Sequence, residues 1–339
     1  MSALAEHYHR LGYRVSGYDR EPSPQTERLE ALGIPVDFEP NLGRVRQAAG
    51  VVYTPAIPAD FPELVEAMRL KLPVWRRAEA LAQAVSGYQT LAVAGAHGKT
   101  STSAILTWLL HRMGVSPVAF VGGQMKNFGS NYLSGTGPYA VVEADEYDRA
   151  MLRLSPAHAI ITSTDPDHLE IYGDAEGVLA AYREFRERVK GYCVLPAHLE
   201  GIRDAIRVRL VDYAREGDGL FRFSYAWEGQ IREVEWSHLG RLYAENAALA
   251  LSLLEVLGFP FKQLREAIRG YAGVARRLEW KQIGPDLIAV LDYAHHPTEI
   301  ERTIDTLREA FPGWQIVVFF QPHLFSRTAF FAKEFALAL

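Results

Sequence analysis

The segment Gly95–Ser101 reads Gly-Ala-His-Gly-Lys-Thr-Ser, and it follows the apolar run Leu91–Ala94 and opens a helix-like segment. A short strand that enters a glycine turn and then a helix presents backbone N–H groups and a positive dipole end, which together hold phosphate. Lys99 is placed to reach the outer phosphates, and the Thr100 hydroxyl is placed to ligate Mg²⁺. Val93 stands where the longer phosphate-loop pattern has glycine, so a plain glycine turn between strand and helix is the alternative interpretation.

Short apolar segments alternate with helix-like segments along the chain, which predicts an α/β fold. Strands are predicted at Tyr13–Tyr18, Gly50–Tyr53, Leu91–Ala94, Val118–Val121, Ala140–Glu143, Ala159–Thr162, Tyr192–Leu195, Leu287–Leu291 and Ile316–Phe320. Helices are predicted at 1–12, Phe61–Arg69, Thr100–Met113, Ala175–Val189, Leu242–Leu257, Thr298–Ala310 and Ala332–Leu339.

The chain of 339 residues is too long for one ordinary domain. Boundaries are predicted near Val85–Tyr88, just before the phosphate-loop strand, and near Gly273. They divide the chain into domains 1–86, 87–272 and 273–339. The hydrophobic content of 48% and the charged content of 23% are ordinary globular values, so each part has enough apolar residues for a core.

Charge and composition exclude several classes of protein. The net charge is −5 without a long basic run, which argues against nucleic acid or an anionic membrane as the main partner. No apolar run approaches the ~18 residues that span a bilayer, and no signal peptide is recognised. The single cysteine, Cys193, excludes an internal disulfide framework and is expected in a buried strand. We therefore expect a cytoplasmic protein.

Both ends of the chain are abrupt. A helix over 1–12 and a strand ending before Asp19 resemble the second half of a β-turn-helix-β unit whose first strand and glycine loop are absent. At the other end, Ala332–Leu339 stops inside an amphipathic helix. We expect both ends to be cut from a longer chain.

An acidic segment follows the predicted strand that ends at Glu143. Val141–Asp148 carries four carboxylates, and ligands of open parallel sheets bind at the carboxyl ends of the strands. Carboxylates are hard oxygen ligands that suit Mg²⁺. Glu143, the first acid after the strand, is the strongest metal candidate, and a solvated acidic loop is the alternative.

A third strand end carries a histidine among acids. Thr164–Tyr172 follows the strand Ala159–Thr162, and His168 is flanked by acids that include Asp165, Asp167 and Glu170. His168 is a candidate to ligate a second divalent ion or to act near a reacting phosphoryl group, although a lone loop histidine is usually uninvolved. Together the three strand ends indicate metal-assisted phosphoryl transfer.

Three later segments add basic and polar groups. Arg276–Glu279 lies at the second boundary, where an arginine can reach a γ-phosphate across a cleft, with a surface charge pair as the alternative. Asp292–Glu299 and Gln321–Thr328 each follow a predicted strand, and Pro297 stands at a helix start. These clusters indicate either a further α/β crevice or ordinary helix capping.

These motifs resemble those of the Mur ligases of peptidoglycan assembly over essentially the whole chain, and most closely those of the alanine-adding members. Five family motifs have counterparts in this chain. G-T-H-G-K-T resembles Gly95–Thr100, with Ala96 in place of Thr, and E-A-D-E resembles Glu143–Glu146. D-H…Y-G resembles Asp167–His168 with Tyr172–Gly173, D-Y-x-H-H-P-T-E resembles Asp292–Glu299, and Q-P-H-x-x-S-R-T resembles Gln321–Thr328. The last two separate the alanine-adding enzymes from related ligases.

The resemblance implies an α/β architecture of three domains. The first is Rossmann-like and binds a uridine nucleotide, the second is a P-loop ATPase domain, and the third is Rossmann-like and closes over ATP and the amino acid. The glycine loop for the UDP pyrophosphate and about half of the third domain have no counterpart in this chain, so the resemblance implies a chain that is folded in its centre and inactive as it stands.

The implied activity is ATP-dependent joining of L-alanine to the carboxylate of UDP-N-acetylmuramate through an acyl phosphate, with ADP as product. The implied catalytic residues are Lys99, Glu143, His168 and Arg277, and the implied ligands of Mg²⁺ are Thr100, Glu143 and His168. The implied ATP contacts are Gly95, Ala96, His97, Gly98, Lys99, Thr100, Ser101, Asn246, Arg277 and Asp292. The implied substrate contacts are Asp19 for uridine and His296, His323 and Arg327 for alanine.

The chain departs from the family pattern in two places. The family usually shows G-x-H-N-x-x-N near the adenine, but Leu242 and Tyr243 stand here for the His and Asn, while Asn246 is kept. Some relatives use a carbamylated lysine for the second metal, but the comparable helix carries Arg183 and no lysine before Lys190. That modification is not expected here.

Three alternatives remain at this point. A muropeptide-recycling ligase would add a tripeptide instead of alanine, and the Q-P-H-x-x-S-R-T stretch argues against it. A P-loop kinase or NTPase would transfer phosphate to an alcohol or to water, and the polar clusters of the third domain argue against that, because a kinase needs no amine site. A non-catalytic nucleotide-binding fragment is the third.

Overall fold

A computed structural model describes residues 1–217, 219–322 and 325–339. Its strands are β1 (Gly17–Tyr18), β2 (Val36–Asp37), β3 (Val51–Tyr53), β4 (Val74–Arg76), β5 (Gln89–Ala94), β6 (Val118–Met125), β7 (Ser130–Leu133), β8 (Tyr139–Ala144), β9 (His158–Ile161), β10 (Cys193–Pro196), β11 (Ile206–Gly217), β12 (Leu220–Trp227), β13 (Gln230–Trp236), β14 (Glu279–Gly284) and β15 (Leu287–Leu291).

The helices alternate with these strands over much of the chain, as the sequence predicts. They are α1 (Ser2–Arg10), α2 (Pro24–Ala31), α3 (Leu42–Val45), α4 (Pro62–Arg69), α5 (Arg77–Ala84), α6 (Lys99–Arg112), α7 (Leu169–Tyr172), α8 (Ala175–Arg188), α9 (Arg241–Val256), α10 (Phe261–Ile268), α11 (Pro297–Ala310), α12 (Phe325–Phe330) and α13 (Ala332–Ala338), with a 3₁₀ segment at Tyr147–Arg153. None of the described helices has both the length and the apolar character that a membrane span requires.

A nine-stranded sheet forms the centre of the molecule, in the order β13-β12-β11-β10-β9-β5-β8-β6-β7. The strands from β11 to β6 in that order are parallel to their neighbours, whereas β12, β13 and β7 pair antiparallel. Three two-stranded sheets, β1–β2, β3–β4 and β14–β15, complete the described strands. The predicted α/β class is confirmed.

Both faces of the central sheet are buried, because side chains alternate along its strands. In β5, Leu91 and Val93 face the core cluster formed with α6 and α9, and Ala92 and Ala94 face the cluster formed with α8. Helix α6 is buried nearly all round because it lies between the sheet and α9. Cys193 is buried in β10, as predicted.

The strand register brings three loops to one edge of the sheet. β5 is hydrogen-bonded to β8 on one side and to β9 on the other, and Ala94 lies opposite Ala144 and Ile161. The three strands run parallel, so the loops that follow them emerge side by side. These loops are the three polar strand ends that the sequence analysis singled out.

Several strand predictions were wrong or incomplete. Ile316–Phe320 has no regular structure, because β14 and β15 pair only with each other among the described strands and offer it no ladder. The predicted strand Tyr13–Tyr18 is reduced to Gly17–Tyr18. The antiparallel strands β11–β13 were not predicted, although Phe221, Phe223 and Tyr225 alternate as buried residues.

Candidate active site

The phosphate-loop candidate lies between β5 and α6 and depends on two glycines. Gly95 has φ +136° and Gly98 has φ +82°, a backbone region that side chains rarely adopt. A Cβ at Gly98 would lie 2.6 Å from Asn246 Oδ1, so Asn246 of α9 is packed directly against the loop. Gly98 is the N-cap of α6 and has no side chain, which leaves the first-turn N–H groups of a 14-residue helix to bind an anion.

Replacement of Gly98 by alanine tests this close packing. We expect the variant to lose about 1–3 kcal/mol of unfolding free energy and to bind ADP about tenfold more weakly, because the Cβ displaces Asn246 and strains the loop. Urea denaturation and titration calorimetry with Mg·ADP measure the two effects. Gly114→Ala is the matched control, since Gly114 has φ +75° but nothing within 4 Å of an added Cβ. Equal ADP affinity in the two variants would contradict the expected packing.

Lys99 is held by a buried carboxylate. Its Nζ donates to Glu146 at 2.8 and 2.7 Å and to the Gly95 carbonyl at 2.7 Å. The Glu146 side chain is 4% exposed. Burial raises the pKa of Glu146, and the Lys99 charge opposes that rise. Tyr172 also donates its hydroxyl to the Glu146 carbonyl at 2.5 Å, so this segment is fixed from both sides.

Glu143 lies next to the first turn of α6. Its carboxylate accepts hydrogen bonds from the Thr100 hydroxyl, at 3.2 Å, and from the Gly122 backbone N–H. Burial raises the pKa of Glu143, while Gly122, Lys99 and Thr100 act in the opposite direction. A Cβ at Gly122 would lie 2.7 Å from Glu143 Oε2, so glycine is needed there for the carboxylate to fit.

His168 lies among carboxylates at the end of the β9 loop. Its Nε2 is 4.0 Å from Glu146 Oε1 and 3.8 Å from Asp167 Oδ2, and its Nδ1 is 3.2 Å from Glu170 Oε1. One ligand atom each from Glu146, Asp167 and His168 all lie within 4.8 Å of one another. Carboxylate oxygens of this kind are suitable Mg²⁺ ligands.

The Lys99 side chain links the carboxylates Glu143 and Glu146, and through Glu146 also His168, into one site. It is hydrogen-bonded to Glu146, which adjoins His168, and its charge acts on Glu143, which bonds Thr100. The family resemblance implies that Glu143 and His168 hold one metal ion together, and that pairing stays a prediction. The structure adds Glu146 and Asp167 to the possible oxygen ligands.

Arg277 lines a cavity, and Asp292 is hydrogen-bonded to Leu278, another residue of the cavity wall. The cavity of about 140 Å³ is lined by Tyr243 and Arg277, among others. The Arg277 guanidinium lies over the Tyr293 ring at 5.3 Å. Asp292 accepts from the backbone N–H groups of Leu278, at 2.6 Å, and Ala294, at 2.7 Å, and burial raises its pKa.

Leu242 and Tyr243, the two residues that depart from the family pattern near the predicted adenine site, have different environments. Tyr243 is buried in the cavity wall, and burial raises its pKa, although Ser101 of the phosphate loop opposes that rise. Leu242 is 40% exposed and lines a second, open surface depression. Of the two, Tyr243 is the one that lines the cavity beside Arg277, and the adenine contacts of this segment stay a prediction.

The predicted substrate residues are only partly described. His296 is the N-cap of α11, accepts a bond from Thr298 N–H at 3.4 Å and packs edge-on against Phe331. His323 lies outside the described residues, as does the side chain of Arg327. Asp19 follows β1, is exposed and accepts from the Arg20 N–H at 2.7 Å. Their predicted roles stay predictions.

A polar chain links the phosphate loop to α11. His97 Nδ1 lies 3.5 Å from Glu299 Oε1, and His97 Nε2 lies 3.5 Å from Asp165 Oδ2. Arg302 of α11 donates to Asp165 at 3.2 Å. Glu299 also accepts from the His295 N–H at 3.0 Å. Burial opposes ionisation of Glu299, but His97 and His295 outweigh burial and lower its pKa to about 2.

This low pKa predicts a pH-dependent contribution to stability. The pKa of Glu299 is below its ordinary value of 4.5, so its contribution is complete above pH 4.5 and is lost as the pH falls towards 2. We expect Glu299→Gln to lower the unfolding free energy by about 1–3 kcal/mol at pH 7 and by much less at pH 3. Urea denaturation at both pH values checks this, and a difference that does not change with pH would contradict it.

Sequence reasoning did not assign roles to Glu146, Glu299 and Tyr243. Glu146 lies in the same acidic segment as Glu143, and nothing in the pattern distinguishes a carboxylate that bonds a lysine from one that bonds a threonine. Glu299 stands three residues after the N-cap His296, a position that usually signals capping. Its additional contact with His97 depends on tertiary structure.

Comparison with known families gives three consecutive matches along the chain. Residues 1–89 match the Mur ligase family catalytic domain, residues 93–254 match the Mur ligase middle domain, and residues 276–339 match the domain described as Mur ligase, glutamate ligase domain. A UDP-N-acetylmuramate–L-alanine ligase of Flavobacterium johnsoniae is 38% identical over 353 aligned residues, which cover 100% of this chain and 78% of that protein.

Two solved structures are similar to this fold over all or most of the chain. A UDP-N-acetylmuramate–alanine ligase from Thermotoga maritima superposes with a TM-score of 0.87 at 28% identity, covering 100% of this chain and 80% of that one. A UDP-N-acetylmuramate:L-alanyl-γ-D-glutamyl-meso-diaminopimelate ligase from Neisseria meningitides has a TM-score of 0.72 at 25% identity, covering 81% of this chain and 96% of that one.

Proposed function

Because this chain belongs to the Mur ligase family, we propose that it is an ATP-dependent ligase that joins L-alanine to the carboxylate of UDP-N-acetylmuramate. ADP and phosphate are the other products. The observation that carries the proposal is the identity of 38% with an alanine-adding relative over the complete chain. The meeting of Lys99, Thr100, Glu143 and Glu146 at one edge of the sheet supplies the chemistry. We also propose a cytoplasmic location, where both nucleotides are available.

The phosphate loop fits ATP and the acidic groups fit Mg²⁺. Gly95 and Gly98 keep side chains away from the loop, and the first-turn N–H groups of α6 are directed to an anion. Thr100, Glu143, Glu146, Asp167 and His168 supply oxygen and imidazole donors. Bound there, Mg²⁺ would neutralise phosphate charge and hold the acceptor carboxylate in line.

The chain's own residues would act mainly by position and charge. Lys99 stabilises the negative charge that develops as the muramoyl carboxylate oxygen bonds to the γ-phosphorus and the bond to ADP breaks. Arg277 provides a second cation, and Asp292 orients the ribose. Glu143 fixes the Thr100 hydroxyl, which positions the first turn of α6 under the phosphates.

The second step forms the amide. The alanine nitrogen attacks the acyl carbon, inorganic phosphate leaves with its bonding electrons, and the nitrogen loses a proton to water or to a nearby base. We propose that His296, His323 and Arg327 form the alanine pocket, as the family motifs imply. Asp19 is proposed for the uridine side. Water must be excluded here, because the acyl phosphate would otherwise hydrolyse.

A coupled assay of ADP release tests the function, and it is run on this chain and on a version extended at both ends to the length of the relatives, of which the chain covers 78–80%. We expect release to require UDP-N-acetylmuramate and to be stimulated most by L-alanine, with glycine, L-serine and the L-alanyl-γ-D-glutamyl-meso-diaminopimelate tripeptide as comparison substrates. Mass spectrometry should find the alanyl product. Stimulation by the tripeptide alone would instead identify a recycling ligase, and release that is independent of any amine would identify an NTPase.

A further inference from the structure

Four side chains join α11 to the phosphate loop, and we refer to His97, Asp165, Glu299 and Arg302 as the His97 clasp. His97 belongs to the phosphate loop, Asp165 to the loop after β9, and Glu299 and Arg302 to the first two turns of α11. Glu299 contacts His97, His97 contacts Asp165, and Asp165 contacts Arg302. The contacts close a ring, because Arg302 returns to the same helix that carries Glu299.

The ring is protected from solvent at its centre. The side chains of His97 and Glu299 are 20% and 19% exposed. Each ring nitrogen of His97 lies 3.5 Å from a carboxylate oxygen, Nδ1 from Glu299 and Nε2 from Asp165, so the imidazole stands between two acids. The other two members, Arg302 and Asp165, are 37% and 44% exposed, so their ion pair adds only modest strength and the half-buried pair of His97 and Glu299 is the firmer part of the ring.

The backbone of His97 is also fixed by the β9 loop. Its N–H donates to Ser163 Oγ at 2.9 Å, and its carbonyl accepts from the Thr162 hydroxyl. His97 therefore has little freedom of its own, and its side chain is a fixed point on the phosphate loop. Because α11 contacts this side chain through Glu299, the contact fixes the position of α11 relative to the phosphate loop.

Resting on the proposed function, we infer that Glu299 and Arg302 are positioning residues that fasten the amino-acid-binding part of the chain to the phosphate loop through His97 and Asp165. In this role both act through His97 and Asp165, which are their contacts on the other loops. The N-cap of α11 is His296, three residues before Glu299, so the clasp sets the distance between the proposed alanine pocket and the phosphates. The clasp thereby links occupancy of the phosphate loop to affinity for the amino acid.

Steady-state kinetics of Glu299→Gln test this inference. Glutamine still offers an oxygen to the His295 N–H, so a role limited to helix capping predicts unchanged kinetics. The clasp predicts a KM for L-alanine about tenfold higher and an unchanged KM for UDP-N-acetylmuramate, since a misplaced helix loses about one order of magnitude in binding. Glu301→Gln is the matched control, because Glu301 lies on the same helix, is exposed, and has no ion pair among the described residues.

A second measurement does not depend on turnover. Hydrogen exchange of the peptides covering 95–101 and 296–303 is measured with and without Mg·ADP. We expect ADP to protect both segments in the wild type and in Glu301→Gln, but only the first segment in Glu299→Gln and Arg302→Gln. Protection of 296–303 in all four proteins, or KM values equal to those of Glu301→Gln, would overturn the clasp. A wild type without alanine-dependent ADP release, but with linked protection, would refute the proposed function and leave the clasp in place.

Discussion

Replacement of Lys99 by alanine is expected to lower kcat for ADP formation by about 10²–10³-fold, equivalent to roughly 3–4 kcal/mol of transition-state stabilisation. Lys99 is a cation at the first residue of α6, next to the glycine turn, and its ammonium group donates to the Gly95 carbonyl and to Glu146. The alanine variant keeps the loop backbone but loses the charge that we propose stabilises the transferring phosphoryl group. Stopped assays of ADP release under saturating substrates measure the loss.

The same change has a structural effect that must be separated from the catalytic one. Without Lys99, the buried Glu146 carboxylate loses its cationic partner, and the fold is expected to lose roughly 3–5 kcal/mol. The double variant Lys99→Ala/Glu146→Gln removes the unpaired charge, so its stability should approach that of the wild type while its kcat stays low. Near-normal turnover in a folded Lys99→Ala protein would remove Lys99 from the mechanism.

Replacement of Glu143 by glutamine should raise the Mg²⁺ concentration needed for half-maximal ADP release by about 10–100-fold, the range seen when groups around a metal are altered. Glu143 is the carboxylate nearest to the Thr100 hydroxyl in the hydrogen-bond network, and the amide would lose the negative charge that attracts the ion. Glutamine keeps an oxygen for the Gly122 N–H, so the backbone there should be preserved.

The comparison variant for Glu143 is Glu187→Gln, an exposed acid of α8 with no ion pair in the described part of the chain. Its Mg²⁺ titration should overlay that of the wild type. An unchanged titration in Glu143→Gln would rule out a role for Glu143 in holding the metal and would favour the group of Glu146, Asp167 and His168. ADP release is also measured with Mn²⁺ in place of Mg²⁺ in both variants. Partial recovery by Mn²⁺ in Glu143→Gln would indicate a folded protein that has lost a metal ligand, whereas an unfolded variant would respond to neither ion.

Local sequence pattern was sufficient for the parts of the fold that bear the phosphate loop. β5, β8 and β9 are short apolar runs, and each is followed by polar residues, so both the strands and the loops after them were predicted. Their meeting at one edge follows from parallel pairing, which an alternation of strands and helices implies. The prediction of the family, the α/β class and the alanine-adding ligase agrees with the relatives and the superposition.

The rest depended on tertiary structure. Glu143 and Glu146 are both acids of one strand end, but only the folded chain shows that one bonds Thr100 and the other Lys99. Ile316–Phe320 has the composition of a strand, yet no described strand pairs with it; Ile316 and Phe320 pack instead against a small cluster that includes Ile300 and Phe335. A strand is stabilised by its neighbours, and one segment cannot reveal whether a neighbour exists.

The placement of the three loops on adjacent central strands has a consequence for how the protein melts. β5, β8 and β9 contribute to both core clusters, whereas the hairpin β14–β15 lies outside that sheet and, in the described structure, reaches the core only by packing Trp280 and Ile288 against one of them. Because the hairpin is hydrogen-bonded only to itself among the described strands, heating should release the part of the chain from 279 onward while the central sheet stays ordered, giving two calorimetric transitions in the absence of ligand. A bound nucleotide that contacts both parts of the chain should merge the two transitions into one.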